Sequence, residues 1–347
     1  MAFFTVRDVQ ISGIVSGVPK IILDNLADPY IPKEQGKKIV ENTGIRYRRA
    51  NLKFTTSDLC LAAAEELVLK KNIDLSDIKY LVFVTQTPDY VLPATATILQ
   101  KKLKLSQDSF CLDISLGCSG YVYGLSVLSS LLEKSQEQNT KGLLLVGDTT
   151  SKLTNIKDLS AYPLFGDAGS ATLLEKTQER IMNFDMYSDG SGEGAIKVKD
   201  GGYRNVYTPN SDIEIKDGNN TRRRRDVYLN GMDVFSFGIT KVPKAIKIFY
   251  EKTNTNDSLT DFYIFHQANL FMNEKIRKKL KLEKEKVPYS LYDYGNVSSA
   301  TIPLTITSKL NNQKHKKIIA CGFGVGLSWG TCDFLLDEKT YLDTIEI

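Results

Sequence analysis

The chain has 347 residues, 42% of them hydrophobic and 25% charged, with a formal net charge of +4. That balance describes a globular protein with a substantial core, built as two domains or one double-sized unit, and excludes wholesale disorder. Two histidines exclude a three-histidine metal site; the weak positive charge, with no recognition motif beside it, argues against a nucleic-acid partner but suits an acidic protein or a phosphate-bearing substrate.

From the N-terminus, Val6 to Lys20 reads as a strand leading into a loop. Residues 30 to 50 are polar, with Thr43-Gly44-Ile45-Arg46 as a turn before the basic Arg48 and Arg49. Ser57 and Asp58 start an alanine- and leucine-rich helix. Ile78 to Thr85 is a short apolar strand, and Ala94 to Leu103 returns to helix. Phe110 to Asp113 ends a buried strand; the small residues Gly117, Cys118, Ser119 and Gly120 then bend the chain into an apolar helix reaching about Lys134. Gly142 to Thr150 is too apolar to face water on either side. The turn Phe165-Gly166-Asp167-Ala168-Gly169 precedes another strand. From 176 to 226 the chain is rich in Asp, Gly, Asn and Lys, reads as exposed loops, and closes in Arg222 to Arg225, expected as a solvated basic face. Residues 232–252 form a helix bent or split at Pro243, followed by a strand ending near His266 and a further helix.

The chain repeats itself. LSDIKYLVFVTQT (75–87) resembles SLTDFYIFHQAN (258–269), KKLKL occurs at 101–105 and 278–282, and GLLLVGD (142–148) is echoed by KIIACGF (317–323). The expected organisation is a first half over 1–175, a polar connection over 176–225 and a second half over 226–347. Two such α/β halves pack about an approximate two-fold axis, so their strand ends and loops meet. Cys118 then falls opposite the neighbourhood of Asn296, with His266 at a strand end beside them.

A cysteine at a bend into a helix has backbone N–H groups near its sulfur, which favours a thiolate and later an oxyanion. Taken singly, Cys118 also suits a core, His266 a packed hydrogen-bonded site and Asn296 a turn or cap. His315, between Lys314 and Lys316, reads as solvent-facing. The segment GFGVGLSWG (322–330) lacks the Lys-Ser/Thr end of a phosphate loop and any dinucleotide fingerprint. Its peptide groups can instead approach the cysteine from the other half. Cys60, Cys111, Cys118, Cys321 and Cys332 form no metal spacing; the odd count, without a secretory signal, predicts reduced thiols in a cytoplasmic protein. No apolar run is long enough to insert into a membrane.

DISLGCSGYVYGL, LFGDAGSA, HQAN, YGNVSSAT and GFGVGLSWG, in that order, resemble a β-ketoacyl-acyl carrier protein synthase III of the thiolase-like superfamily. The resemblance implies an α/β, duplicated thiolase-like five-layer αβαβα fold, usually a homodimer. It implies no bound cofactor, with acyl-coenzyme A or acyl-carrier-protein thioesters as substrates and an acidic acyl carrier protein as partner. Cys118 is similar to the acylated nucleophile, and His266 and Asn296 to the pair that stabilises the enolate left by decarboxylation of a malonyl thioester. The N–H groups of Cys118 and of the Gly324, Val325 and Gly326 loop correspond to the oxyanion hole. Leu92, Phe323 and Val325 correspond to the acyl pocket, Leu92 reaching across the dimer. Lys278 and Lys279 fit the basic docking helix, whereas Phe271 stands where arginine is common. Lys38 occupies the place of an adenine-stacking tryptophan, Asn42 that of a basic residue and Leu159 that of an adenine-contacting arginine. These departures favour a carrier-protein-bound donor over coenzyme A. Acyl transfer from Cys118 to an alcohol or amine, a non-catalytic acyl-carrier-binding subunit and a cysteine hydrolase are the competing readings.

Overall fold

The computed structural model of the chain describes residues 2–310 and 316–347, so His315 lies outside the described residues. Nine strands form one mixed sheet: β1 (Ala2–Val18), β2 (Ile78–Val84), β3 (Phe110–Ile114), β4 (Lys141–Asp148), β5 (Ala168–Ser188), β6 (Phe262–Phe265), β7 (Lys316–Gly324), β8 (Ser328–Leu336) and β9 (Tyr341–Glu346). Their order is β6-β7-β8-β5-β4-β2-β3, with β1 pairing β5 and β9. The helices that cover them are α1 (Lys33–Thr43), α2 (Thr56–Lys71), α3 (Thr95–Lys102), α4 (Gly120–Lys134), α5 (Gly231–Thr253), α6 (Leu270–Leu280) and α7 (Thr301–Lys309).

The apolar runs explain the layering, because both faces of the inner strands are covered and successive side chains serve different layers. In β2, Leu81 and Phe83 face α2 and α3, while Val82 and Val84 face α4. In β4, Leu143 and Leu145 go outward and Leu144 and Val146 inward. The same alternation recurs in β7, where Ile318 and Ala320 face the centre and Ile319, Cys321 and Phe323 meet α5 and α6. Outer helices, lobe, the central pair α4 and α7, second lobe and outer helices make five layers. Fully burying each such leucine or valine contributes roughly 1.5–3 kcal/mol.

The repeat is topological. β2 and β4 run parallel with β5 antiparallel beside them, and β6, β7 and β8 do the same. The lobes share β5, whose first part pairs β4 and whose last part pairs β8, and β1 follows it from Gly17↔Gly169 to Ala2↔Met186. The halves differ at one place. β3 pairs β2, but residues 287–290, its counterpart in the repeat, form no strand. Pro288 lies in that stretch and has no N–H to give to a ladder.

Five local expectations change. Strand β3 is not buried: it ends the sheet, with Phe110 exposed and Cys111 to Ile114 half-buried. The polar stretch 30–50 contains helix α1, stopped by Gly44, whose φ of +71° and N–H bond to the Val40 carbonyl form a left-handed cap. Helix α2 starts at Thr56, one residue before Ser57, because Thr55 and Asp58 form a reciprocal capping box. The polar composition from 176 does not end β5, which continues to Ser188. Helix α5 runs unbroken through Pro243. The missing N–H of Pro243 would orphan the Ile239 carbonyl one turn earlier, and the Lys279 ammonium of α6 donates to that oxygen at 3.1 Å.

Candidate active site

Cys118 follows β3 by a few residues and precedes the first turn of α4, where the tight bend closes with the Gly120 N–H on the Gly117 carbonyl at 2.6 Å. The tip of the β7–β8 hairpin leans on it from the other lobe. A Cβ built on Gly324 would lie 2.8 Å from the Cys118 sulfur, so this approach requires glycine. Burial pushes the Cys118 thiol up, and the Asp148 charge adds to it; the Ser298 hydroxyl and the N–H groups of Val325 and Cys118 pull the other way, leaving it at about 11. Those two peptide N–H groups therefore lie close to the sulfur.

His266 is the first residue after β6. Its N–H bonds the Cys321 carbonyl at 2.9 Å, and its own carbonyl accepts from Asn273 Nδ2 at 3.1 Å. The ring stands edge-on to Phe323, with centroids 5.4 Å apart. Nδ1 meets the Thr301 hydroxyl at 2.8 Å. Burial lowers the imidazole to about 3, only partly opposed by the Ser298 carbonyl, so the ring is neutral at physiological pH.

Asn296 is held by the loop after α4 and β4. Its N–H bonds the Leu164 carbonyl at 2.9 Å, and its carbonyl accepts from Gly166 N–H at 3.1 Å. The side-chain Oδ1 accepts from Ser298 N–H at 2.9 Å, which fixes the carboxamide and leaves Nδ2 as its donor toward the cavity. Ser298 sits at φ +50°, a strained conformation for a residue with a side chain. Beneath this turn, the buried Asp148 accepts from Thr85 Oγ1, Gln86 N–H and both Ser299 N–H and Oγ. Asp148 therefore ties the ends of β2 and β4 to the segment that carries Asn296. Neither it, Ser298 nor Thr301 was singled out by periodicity; a carboxylate closing the apolar run of β4 was the available signal.

Cys118, His266, Asn296, Phe323, Gly324 and Val325 line one cavity of about 780 Å³. Its outer wall is a two-stranded ribbon, Tyr228↔Lys197 and Leu229↔Ile196, contributed by the excursion between β5 and α5. The arginine run fastens this excursion instead of forming a free basic face. Arg222 pairs with Asp158 at 3.0 Å, Arg223 with Asp226 at 2.8 Å and Arg224 with Asp200 at 2.9 Å, and Arg225 pairs with Asp212. At the mouth, Phe271 stacks on Phe235, with Lys275 over its outer ring.

The other expected residues lie elsewhere. Gly326 follows Val325 in the hairpin loop at φ +140° but does not line the cavity. Leu92 is 80% exposed and does not reach this chain's cavity. Lys278 and Lys279 are in the last turn of α6. Lys38 is exposed on α1 and Leu159 is half-buried, neither on the cavity wall. Among the described residues, no His, Cys, Asp or Glu cluster could hold a metal and no helix is long and apolar enough to cross a membrane.

Two lobes about shared strands, with a cysteine at the head of one central helix and a histidine and amide supplied from the other lobe, define a thiolase-fold acyltransferase. Comparison with known proteins narrows this. Residues 112–190 match the family model for 3-oxoacyl-[acyl-carrier-protein (ACP)] synthase III, and residues 250–334 match its C-terminal model. The beta-ketoacyl-[acyl-carrier-protein] synthase III of Clostridium tetani is 32% identical, covering 93% of this chain and 97% of that protein; the Streptococcus mutans enzyme is 30% identical with the same coverage. The crystal structure of 3-oxoacyl-(acyl-carrier protein) synthase from Burkholderia xenovorans superposes with a TM-score of 0.92 at 33% identity, over 100% of this chain and 99% of that one. The chain belongs to the β-ketoacyl-acyl carrier protein synthase III family. Its activity is condensing acyl transfer, making a β-ketoacyl thioester.

Proposed function

We propose that Cys118 carries the acyl group and that His266 and Asn296 stabilise the enolate formed when a malonyl thioester loses carbon dioxide. The observation that carries this reading is the convergence of these three side chains on one cavity from two lobes. The Cys118 sulfur gives up its proton and attacks the acyl thioester, that proton going to the departing carrier sulfur, and the N–H groups of Cys118 and Val325 hold the tetrahedral oxyanion. The first carrier thiol leaves. The malonyl thioester then binds with its carbonyl oxygen toward His266 and Asn296. The carboxylate carbon–carbon bond breaks, its electron pair passes into the thioester as an enolate, and carbon dioxide departs. The enolate carbon attacks the acyl-Cys118 thioester, the carbon–sulfur bond breaks, and the cysteine recovers a proton from solvent. A neutral amide donor such as Asn296 Nδ2 suits the developing negative charge, whereas a carboxylate there would oppose it.

The extender is malonyl-acyl carrier protein, docking through Lys278 and Lys279 on α6. Supporting this are the exposed basic face of that helix beside the cavity mouth and the lack of an aromatic platform at Lys38 for adenine. The chain acts as a cytoplasmic homodimer. The edge strand β3, with Phe110 exposed, has its outer side unpaired among the described residues, and Tyr90, Val91 and Leu92 are exposed a few residues after the cavity's Gln86, where a second copy's Leu92 would close the acyl pocket. All five cysteines are free. Condensation assays with malonyl-carrier protein against malonyl-coenzyme A, across a chain-length panel of primers, test the reading. Faster release of carbon dioxide and ketoacyl product with the carrier protein is expected. Discharge of the acyl group only by an added alcohol or amine would replace condensation with simple transfer.

A further inference from the structure

The reaction asks opposite things of one ring. Cys118 is a protonated thiol at neutral pH and needs an acceptor for its proton, yet the enolate oxygen needs a donor. His266 is the imidazole that lines the cavity. Its Nδ1 is engaged by Thr301, which is fully buried, so Nε2 is the nitrogen left for the cavity. A neutral imidazole carries one ring proton, and the hydrogen bond at Nδ1 decides which nitrogen holds it.

Thr301 has two ways to make that bond. Its Oγ1 lies 2.9 Å from the Ser298 carbonyl and 2.8 Å from His266 Nδ1. With the hydroxyl hydrogen on the Ser298 carbonyl, Oγ1 accepts from Nδ1–H, and Nε2 presents a lone pair. With the hydrogen turned onto Nδ1, the ring proton sits on Nε2, and Nε2 becomes a donor. The Ser298 carbonyl beside Oγ1 can only accept, so without the Thr301 hydroxyl this side of the ring loses the one group that can donate to Nδ1 and hold the ring proton on Nε2.

We propose that the Thr301 hydroxyl is a positioning group that lets His266 serve as proton acceptor in acyl transfer and as hydrogen-bond donor in condensation, by turning between Ser298 and Nδ1. The inference rests on the functional reading above. In acyl transfer, the Cys118 S–H donates to the Nε2 lone pair, the sulfur–acyl bond forms as the incoming thioester bond breaks, and the proton is relayed past Nε2 to the departing thiolate in the same step, without resting on the ring as an imidazolium. In the acyl-enzyme the Thr301–Nδ1 contact opens transiently, Nδ1 loses its proton to water and Nε2 takes one from the cavity; the hydroxyl then donates to Nδ1, and Nε2–H meets the enolate oxygen beside Asn296 Nδ2.

Thr301→Val keeps the shape and removes the hydroxyl; Thr301→Ser keeps the hydroxyl. The two half-reactions are read separately, acylation by intact-protein mass against time and condensation by carbon dioxide release from malonyl-carrier protein, with Thr301→Ala as a second variant should valine impair folding. Thr301→Val should acylate within a few-fold of the native chain but lose roughly 10²-fold in decarboxylation, the usual cost of one missing donor to an oxyanion, and Thr301→Ser should restore it. Imidazole ¹⁵N shifts supply a readout besides activity, because only two histidines contribute signals. The native acyl-enzyme should carry the proton on Nε2 of His266, and Thr301→Val should carry it on Nδ1. Equal losses in both half-reactions, no loss in either, or Nδ1 protonation in both acyl-enzymes would overturn the role of Thr301 while leaving the condensing reading intact. A native chain that neither acylates nor condenses would remove that reading and this inference together.

Discussion

The two lobes have the same strand order, yet their corresponding strand-to-helix junctions present different side chains. In the first lobe β3 runs into a tight bend and places a sulfur at the head of α4. In the second, no strand forms before the junction; the chain instead makes a turn pinned to the first lobe by the Leu164 and Gly166 hydrogen bonds, placing an amide ahead of α7. The duplicated scaffold brings both junctions to one cavity, and the loss of a strand on one side lets its junction lean across the axis. In the proposed mechanism one lobe supplies the nucleophile and the other supplies neutral donors. Asp148 couples them from below through Ser299.

Removing each side's contribution should break this division of labour unequally. The largest effect is expected from Cys118→Ala, which should abolish the covalent adduct and lower condensation on the order of 10³-fold or more, measured by product formation. Asn296→Asp should still acylate but lose roughly 10² to 10³-fold in condensation. One carboxylate oxygen can keep the Ser298 N–H bond, while the other faces the enolate with like charge. Unchanged condensation in that variant would remove the amide from the account. Gly324→Ala tests the contact between the lobes. Its methyl would crowd the Cys118 Cβ and sulfur at 2.6 and 2.8 Å, and a displacement near an ångström should slow acylation roughly 10²-fold.

The smallest expected effect is on stability against pH. Burial holds His266 neutral down to about 3, against 6.5 for an ordinary imidazole. The unfolded chain takes up a proton that the folded chain refuses, so this group costs nothing above about pH 6.5 and lowers stability as the pH falls from there toward 3. The slope should be at most about 1.4 kcal/mol per pH unit. Urea melts of His266→Gln should be flatter over that window than those of the native chain; identical slopes would show that burial of this ring is not what matters.

Much of this was readable before the structure, for physical reasons. The apolar runs of β2, β4 and β7 are buried on both faces, so their composition alone declared them, and their recurrence declared the two lobes. The meeting of Cys118, His266 and Asn296 at one cavity was legible because each stands at a strand end or turn that the repeat brings together. Helix α1 was not, since Ile39 and Val40 are its only large apolar residues and it buries little beyond Gly36 against the Asn25 carbonyl. The arginine run was misread because its partners Asp158, Asp200 and Asp212 are far from it in sequence and near only through the folded excursion. Thr301 and Ser298 act through single hydrogen bonds, which leave no pattern in composition or spacing.

The central claim is that a thiol from one lobe and donors from the other complete one reaction. It is tested most directly by loading the chain with an acyl thioester, locating the adduct by peptide mass, and then adding malonyl-carrier protein while counting carbon dioxide. The account predicts an acyl group on Cys118 alone, discharged with one carbon dioxide for each ketoacyl product. An adduct on another residue, or discharge of Cys118 without carbon dioxide, would contradict it.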